Sequence, residues 1–349
     1  MKKLLSIALA LVLVFGAVVA GAEGYISVIS KGEQHAFWQA VRKGCEDAAA
    51  EFGVEMNYYG PPSEADIVQQ VDMLKSEMAK GPVALALAAL STDAVMTELQ
   101  ECIEKGIPVI GFDSGVPNAP EGSIYATAST NNQNAAALAA EEFFKLDGFK
   151  DALAAATADA PVVIAVLSQD ATSESVTGRT TGFVNKMKEL AGEVGVVAVK
   201  GHDLWAAPAD GASIIIHTEI AATPNIGDVT NSANAVLNMD GLYAIFCSNE
   251  GTVNGLLAAT ADGSELAEGG RYGDVIVAGF DAGAPQKNAV RNGWFVGSVT
   301  QDPYMIGYLA VKLAVQASNG EEVADVDTGA QWYTSVNIDE PNIAILVYD

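Results

Sequence analysis

Two aspartates hold the same place in a phrase that the chain writes twice. Val109-Ile110-Gly111-Phe112-Asp113-Ser114-Gly115 returns as Val277-Ala278-Gly279-Phe280-Asp281-Ala282-Gly283. Each copy reads as an apolar strand ending in an aromatic, a carboxylate and a glycine. Two carboxylates could work as an acid and a base, or accept hydrogen bonds from the hydroxyls of a ligand. Other polar and aromatic groups sit beside predicted strand ends: Gln34, His35, Phe37 and Trp38 after the first strand, Asn249 after 242–248, and Gln301 after 295–300. Arg179 lies near the start of a predicted helix. Aromatic walls mixed with a few polar groups of fixed direction suit a neutral polyol.

Catalysis finds little support. There is no Gly-x-Ser-x-Gly elbow, no Walker loop, no HExxH and no GxGxxG after the first strand. The three histidines, His35, His202 and His217, have no metal-ligand spacing, and no CxxC occurs. The chain is therefore expected to be no enzyme and to need no metal or cofactor. Its net charge of −26 disfavours nucleic acid, because that binding depends on Lys and Arg neutralising phosphates, and no nucleic-acid partner is expected. Cys45 and Cys102 fall on helices expected on opposite faces of a sheet, so three buried unpaired thiols, Cys247 included, are expected.

The elements that must position these groups follow from periodicity. Residues 1–22 have the layout of a cleavable export signal: Lys2 and Lys3, an apolar run, then Ala20-Gly21-Ala22. From Tyr25 onward, short apolar strands (25–30, 54–59, 83–89, 107–112 and 125–128) alternate with helical stretches (37–52, 64–80, 93–105 and 134–144). The alternation restarts at Val162 and runs through strands 162–168, 194–200, 242–248, 274–280 and 295–300. This pattern predicts an α/β protein with two flavodoxin-like or Rossmann-like lobes, each on a parallel sheet with right-handed crossovers. Ligands of such sheets bind beyond the carboxyl ends of the strands. Two stretches stand outside the pattern: alanine-rich 147–161, and 201–225, read as a surface elaboration with an extra edge hairpin or else a lid. The tail is expected to carry extended pieces at 336–338 and 343–347.

With these residues in place, the chain resembles the type I periplasmic sugar-binding proteins, close to the ribose-binding component of ABC transporters. The markers are Phe37-Trp38, Gly106-Ile107-Pro108-Val109-Ile110 with Asp113, Arg179-Thr180-Thr181-Gly182-Phe183, Ser248-Asn249-Glu250, Gly279-Phe280-Asp281, and Gln301 before Pro303 and Gly307. The resemblance spans the chain from Tyr25 to its end, the 201–225 insertion excepted. It implies two lobes joined by a three-segment hinge: 23–129 with about 302–333, and 130–301 with about 334–349. It also implies that Phe37 and Trp38 flank a sugar ring, with His35 at a polar contact. Asp113, Arg179, Asn249, Asp281 and Gln301 would bond its hydroxyls and ring oxygen. An exported monomer delivering sugar to an ABC permease is the expected role; a sensor module serving a chemoreceptor or histidine kinase is the alternative. The sequence departs from the ribose binders in three places. Ser114 stands where they carry Arg, Thr130-Asn131 replaces an Asp-Asn pair, and Pro224-Asn225 falls where an aromatic is usual. A plainer structural reading stands beside each site residue: core or staple packing for Phe37 and Trp38, turn capping for the aspartates, a surface ion pair for Arg179.

Overall fold

Strands and helices alternate because short apolar runs alternate with longer stretches whose apolar residues recur every third or fourth position. The computed structural model describes residues 24–348; the expected export signal lies outside the described residues. Among them, no helix is long and apolar enough to cross a membrane. The first half runs β1 (Tyr25–Ile29), α1 (Ala36–Phe52), β2 (Glu55–Tyr59), α2 (Ile67–Lys80), β3 (Ala84–Leu87), α3 (Met96–Lys105), β4 (Val109–Phe112) and β5 (Ile124–Ser129). The second runs α4 (Asn132–Lys145), α5 (Phe149–Ala155), β6 (Val162–Ser168), α6 (Glu174–Ala191), β7 (Val197–Gly201), β8 (Ile214–Ile220), α7 (Ile226–Leu237), β9 (Leu242–Cys247), α8 (Glu250–Ala259), β10 (Ile276–Phe280), α9 (Ala284–Arg291) and β11 (Gly297–Gln301). The chain then returns through α10 (Pro303–Ser318) and β12 (Val326–Asp327), and finishes with β13 (Ala330–Tyr333) and α11 (Pro341–Ala344).

Two sheets result. The first has the order β12-β5-β4-β3-β1-β2 and is parallel throughout. The second has the order β13-β11-β10-β9-β6-β8-β7, and only β13 runs antiparallel. Central strands such as β3 and β4 are buried along their whole length, as a sheet covered on both faces requires. Cys45 and Cys102 pack into different core clusters on opposite sides of the first sheet, and all three cysteines are buried and free, as expected.

Four expectations need correction. The 201–225 stretch is only partly an edge elaboration: Val199 and Ala207 exchange backbone hydrogen bonds of 2.9 and 3.0 Å, so the chain after β7 folds back on that strand, but the stretch also enters the sheet. Its β-branched Ile214–Ile220 run forms β8, which sits between β6 and β7 and bonds to both; β7 becomes the edge. The alanine-rich 147–161 stretch contains α5, seated on the core by Phe149 and Leu153. Residues 330–333 belong with the second sheet, since β13 pairs with β11. The tail holds the short helix α11, opened by Pro341, in place of a second extended piece.

The chain passes between the sheets three times: after β5, after β11, and between β12 and β13. Each passage takes only one or two residues, so these are short, adjacent straps. Thr130, in the first, is 4% exposed and gathers the other two. Its hydroxyl lies 3.0 Å from Gln301 Oε1, 3.3 Å from Thr328 Oγ1 and 3.1 Å from the Gly329 carbonyl. After each of the first two passages, the next helix packs on the helix that follows the first strand of the lobe it enters: α4 on α6, after β6, and α10 on α1, after β1. Glycine makes the second contact possible, because a Cβ on Gly307 would collide with the Val41 carbonyl oxygen.

Candidate ligand-binding cleft

The repeated phrase builds two matching corners. Asp113 follows β4 and Asp281 follows β10, and both have left-handed backbone, with φ of 56° and 79°. Asp tolerates that region better than most residues, and strained conformations of this kind gather at functional sites. Each corner is held the same way. The Asp113 N–H donates to Ala128 O on the neighbouring strand at 3.0 Å, and the Asp281 N–H to Val299 O at 2.7 Å. Ser129 Oγ donates to the Asp113 carbonyl at 2.7 Å; Ser298 Oγ and Tyr333 OH donate to that of Asp281 at 3.1 and 3.0 Å.

Both carboxylates are buried and each faces a cation. Lys31 Nζ, just past β1, stands 3.0 Å from Asp113 Oδ2. Burial disfavours the Lys31 ammonium, yet Asp113, Glu64 and Asp170 outweigh it and hold its pKa above the ordinary value. Arg179 Nη1 stands 3.5 Å from Asp281 Oδ2. The guanidinium also donates from Nε to Asn132 Oδ1 at 2.9 Å and from Nη1 to the Ser248 carbonyl at 3.3 Å, and it lies 3.9 Å from the Phe280 ring centre. A surface ion pair is therefore the wrong picture for Arg179, which is 3% exposed. Asp281 also accepts from Gln301 Nε2 at 2.8 Å, which links it through Gln301 to the Thr130 strap.

The aromatic corner comes from the start of α1. Phe37 and Trp38 meet edge to face at 5.0 Å and both belong to the first core cluster. Trp38 Nε1 donates to Glu64 Oε1 at 2.7 Å. Burial pushes the Glu64 carboxyl up, but His35, Lys31 and hydrogen bonds from Trp38 and Gln169 outweigh that and hold it below the usual range. Asn249 caps α8, accepting from Thr252 N at 3.1 Å while its Nδ2 donates to Gln169 Oε1 at 2.9 Å. Its neighbour Glu250 donates its backbone N–H to Asp281 Oδ2 at 2.9 Å. Burial, with Asp281 and Glu64 close by, pushes the Glu250 carboxyl up to about 7 against the pull of His35 and the Phe37 N–H.

All eight residues singled out from the sequence (His35, Phe37, Trp38, Asp113, Arg179, Asn249, Asp281 and Gln301) line one cavity between the two sheets. Lys31, Glu64, Val176 and Glu250 complete it. Its volume is about 20 Å³, room for about one water. The two halves bond across it and around it: Gln169 Nε2 to Glu64 Oε2 at 2.6 Å, Lys31 Nζ to Ser175 Oγ at 2.8 Å, Ser175 N to Ser114 Oγ at 3.2 Å, and Thr172 Oγ1 to the Leu90 carbonyl at 3.1 Å. These contacts define a closed arrangement. The sequence reading missed Lys31, Glu64 and Glu250. Each is a lone charge in a polar loop or at a helix start, and only the fold shows it to be buried. The available signal was position: Lys31 directly follows the predicted strand 25–30, and Glu250 comes two residues after 242–248. Among the described residues no cluster could hold a metal ion.

Comparison with known proteins agrees with the two-sheet α/β fold. A family model described as periplasmic binding protein domain matches residues 26–322. A Brachyspira murdochii structure, described as an ABC transporter, LacI family transcriptional regulator, is 41% identical with a TM-score of 0.78, covering 94% of this chain and 99% of that one. An Agrobacterium radiobacter carbohydrate transporter solute binding protein, solved with D-arabinose, is 25% identical with a TM-score of 0.75, covering 93% and 99%. The D-allose-binding periplasmic protein of Escherichia coli is 24% identical over 310 residues, 88% of each chain.

Proposed function

The chain belongs to the periplasmic binding protein family, and from that premise we propose that it captures a sugar or related polyol between its lobes and delivers it to an ABC importer. The convergence of residues from both lobes on one buried cavity carries this reading. In it, Phe37 and Trp38 present ring faces to the apolar side of the sugar. Asp113 and Asp281 accept from its hydroxyls, while Arg179, Lys31, Asn249 and Gln301 donate. His35 supplies a further polar contact at the cavity edge. The ion pairs Lys31–Asp113 and Arg179–Asp281 keep these groups oriented, and charge-assisted bonds make that orientation strong. Lys31 also gives Asp113 the cationic neighbour that Ser114 cannot, which separates this pocket from a ribose binder's.

Closure is the mechanism. A cavity this small holds no monosaccharide as it stands, so the lobes must part about the three straps to admit one and close on it with the cavity widened around it. The ligand then stabilises the closed form to the extent that it binds that form better. An exported monomer that presents its closed surface to a permease fits this role, with binding and no turnover. Differential scanning fluorimetry across a panel of pentoses, hexoses and polyols tests it. A ligand at 100 times its Kd stabilises by about 2.7 kcal/mol, a clear rise in Tm. A panel that leaves Tm unmoved throughout would overturn the sugar reading.

A further inference from the structure

Glu250 has features that the binding scheme above leaves unused. It opens α8 in the second lobe, is 6% exposed, and lines the cavity. Its carboxylate accepts a hydrogen bond from the Phe37 N–H, at the first turn of α1 in the first lobe. Its Oε2 is buried and has no hydrogen-bond partner. A buried acceptor or donor left unpaired is costly, so an atom of this kind on a cavity wall points to a ligand.

Resting on the sugar reading, we propose that Glu250 is a ligand-contacting, specificity-determining residue. It grips the first lobe through the Phe37 N–H and bonds the ligand through Oε2 as a neutral carboxylic acid, so that closure around the ligand takes up one proton. The groups facing it are His35 at the start of α1, Glu64 in the loop before α2, Asp281 after β10 with its partner Arg179 on α6, Tyr333 on β13 and Tyr348 in the tail. Of these acids Asp281 acts on the Glu250 carboxyl more strongly than Glu64 does, and its carboxylate also accepts the Glu250 N–H. A second ionised carboxyl beside it in a closed cavity is disfavoured. As a neutral acid, Glu250 adds an O–H donor on the side of the cavity where Asp281 only accepts. That suits a ligand acceptor such as a ring oxygen or a hydroxyl.

The sign follows from linkage. Closed, the carboxyl stands near 7; open to water, it returns toward its ordinary 4.5. Closure therefore takes up a proton, and affinity rises as pH falls through 7, by roughly tenfold between pH 8 and pH 6. Calorimetric titration with the tightest ligand from a panel of D-arabinose, D-ribose, D-allose, D-galactose and myo-inositol, at pH 6, 7 and 8, measures this for the natural protein and for Glu250→Gln. The variant keeps an acceptor for the Phe37 N–H but cannot titrate. His35 is present in both, so its contribution cancels in the comparison. The expected result is weaker binding by the variant and loss of the tenfold slope. Equal affinity and an equal slope would overturn the proposal. If no panel sugar binds, the sugar reading fails separately. Carboxyl-carbon NMR of the ligand-free protein, its lobes held closed by a short cross-link between cysteines introduced at Ser114 and Ser175, which face each other across the lobes, then still reads Glu250: titration near 7 that vanishes in Glu250→Gln supports the proposal, and titration near the ordinary value overturns it.

Discussion

Replacing Asp281 by Asn isolates the charge at the centre of the second-lobe corner. The substitution keeps size and shape, and Asn adopts left-handed backbone as readily as Asp, so the φ of 79° adds no strain. What changes is the bonding. Asp281 accepts from Gln301 Nε2 on one oxygen and from the Glu250 N–H on the other, with Arg179 Nη1 at 3.5 Å. An amide has only one oxygen, so one of these donors meets its NH₂ group. A lost charge-assisted hydrogen bond costs about 1.5–3 kcal/mol. Arg179, buried, also loses its counter-charge; its bonds to Asn132 and Ser248 remain and limit that loss. The expected total is about 3 kcal/mol, or roughly 4 °C in Tm for a chain of this size. Calorimetric melting of the ligand-free protein, natural and variant side by side at pH 7, measures it. A Tm within about 1 °C of the natural protein would refute the view that Asp281 holds this corner together. Asp281→Ala is a poorer probe of binding, because alanine at this φ brings backbone strain of its own.

Other perturbations test the scaffold. Thr130→Val removes the hydroxyl that gathers the three straps and should cost about 1–2 kcal/mol in a chemical-denaturation curve. It should also raise hydrogen exchange around Gly329; unchanged exchange would mean that the straps do not depend on it. Gly307→Ala drives a methyl into the Val41 carbonyl where α10 crosses α1, and should destabilise by about 1–3 kcal/mol in the same assay. Burial pushes the Cys45 and Cys247 thiols far up and Cys102 to about 11. All three should resist a thiol reagent at pH 8 in the native protein and react fully in denaturant.

Much of this molecule is legible before folding, for a physical reason. A parallel sheet buries its strands and puts its ligand groups at their carboxyl ends, so the Val109 and Val277 phrases place Asp113 and Asp281 once the strands are recognised. The same logic brings Asn249 and Gln301 to the cavity. Lys31, Glu64 and Glu250 escape it because burial of a charge is decided by what packs on it from elsewhere. For Lys31 that partner is Asp113, and for Glu64 it is Gln169 of the other lobe. Strand β8 was misplaced because the Trp and Pro residues ahead of it mask an isoleucine run, and strand order is a tertiary property. Tyr333 escapes the same logic too: its ring is buried and its hydroxyl braces the Asp281 carbonyl from β13, a contact that no local pattern announces.

The central claim is that both lobes hold one sugar between the two aspartates. A crystal structure of the protein with its tightest panel ligand tests this most directly. The account predicts a closed form with the sugar in the cavity, its hydroxyls within hydrogen-bond distance of Asp113 on one side and of Asp281 and Arg179 on the other, and Trp38 or Phe37 against its ring. A ligand seated elsewhere, or one touching a single lobe with the straps unmoved, would contradict it.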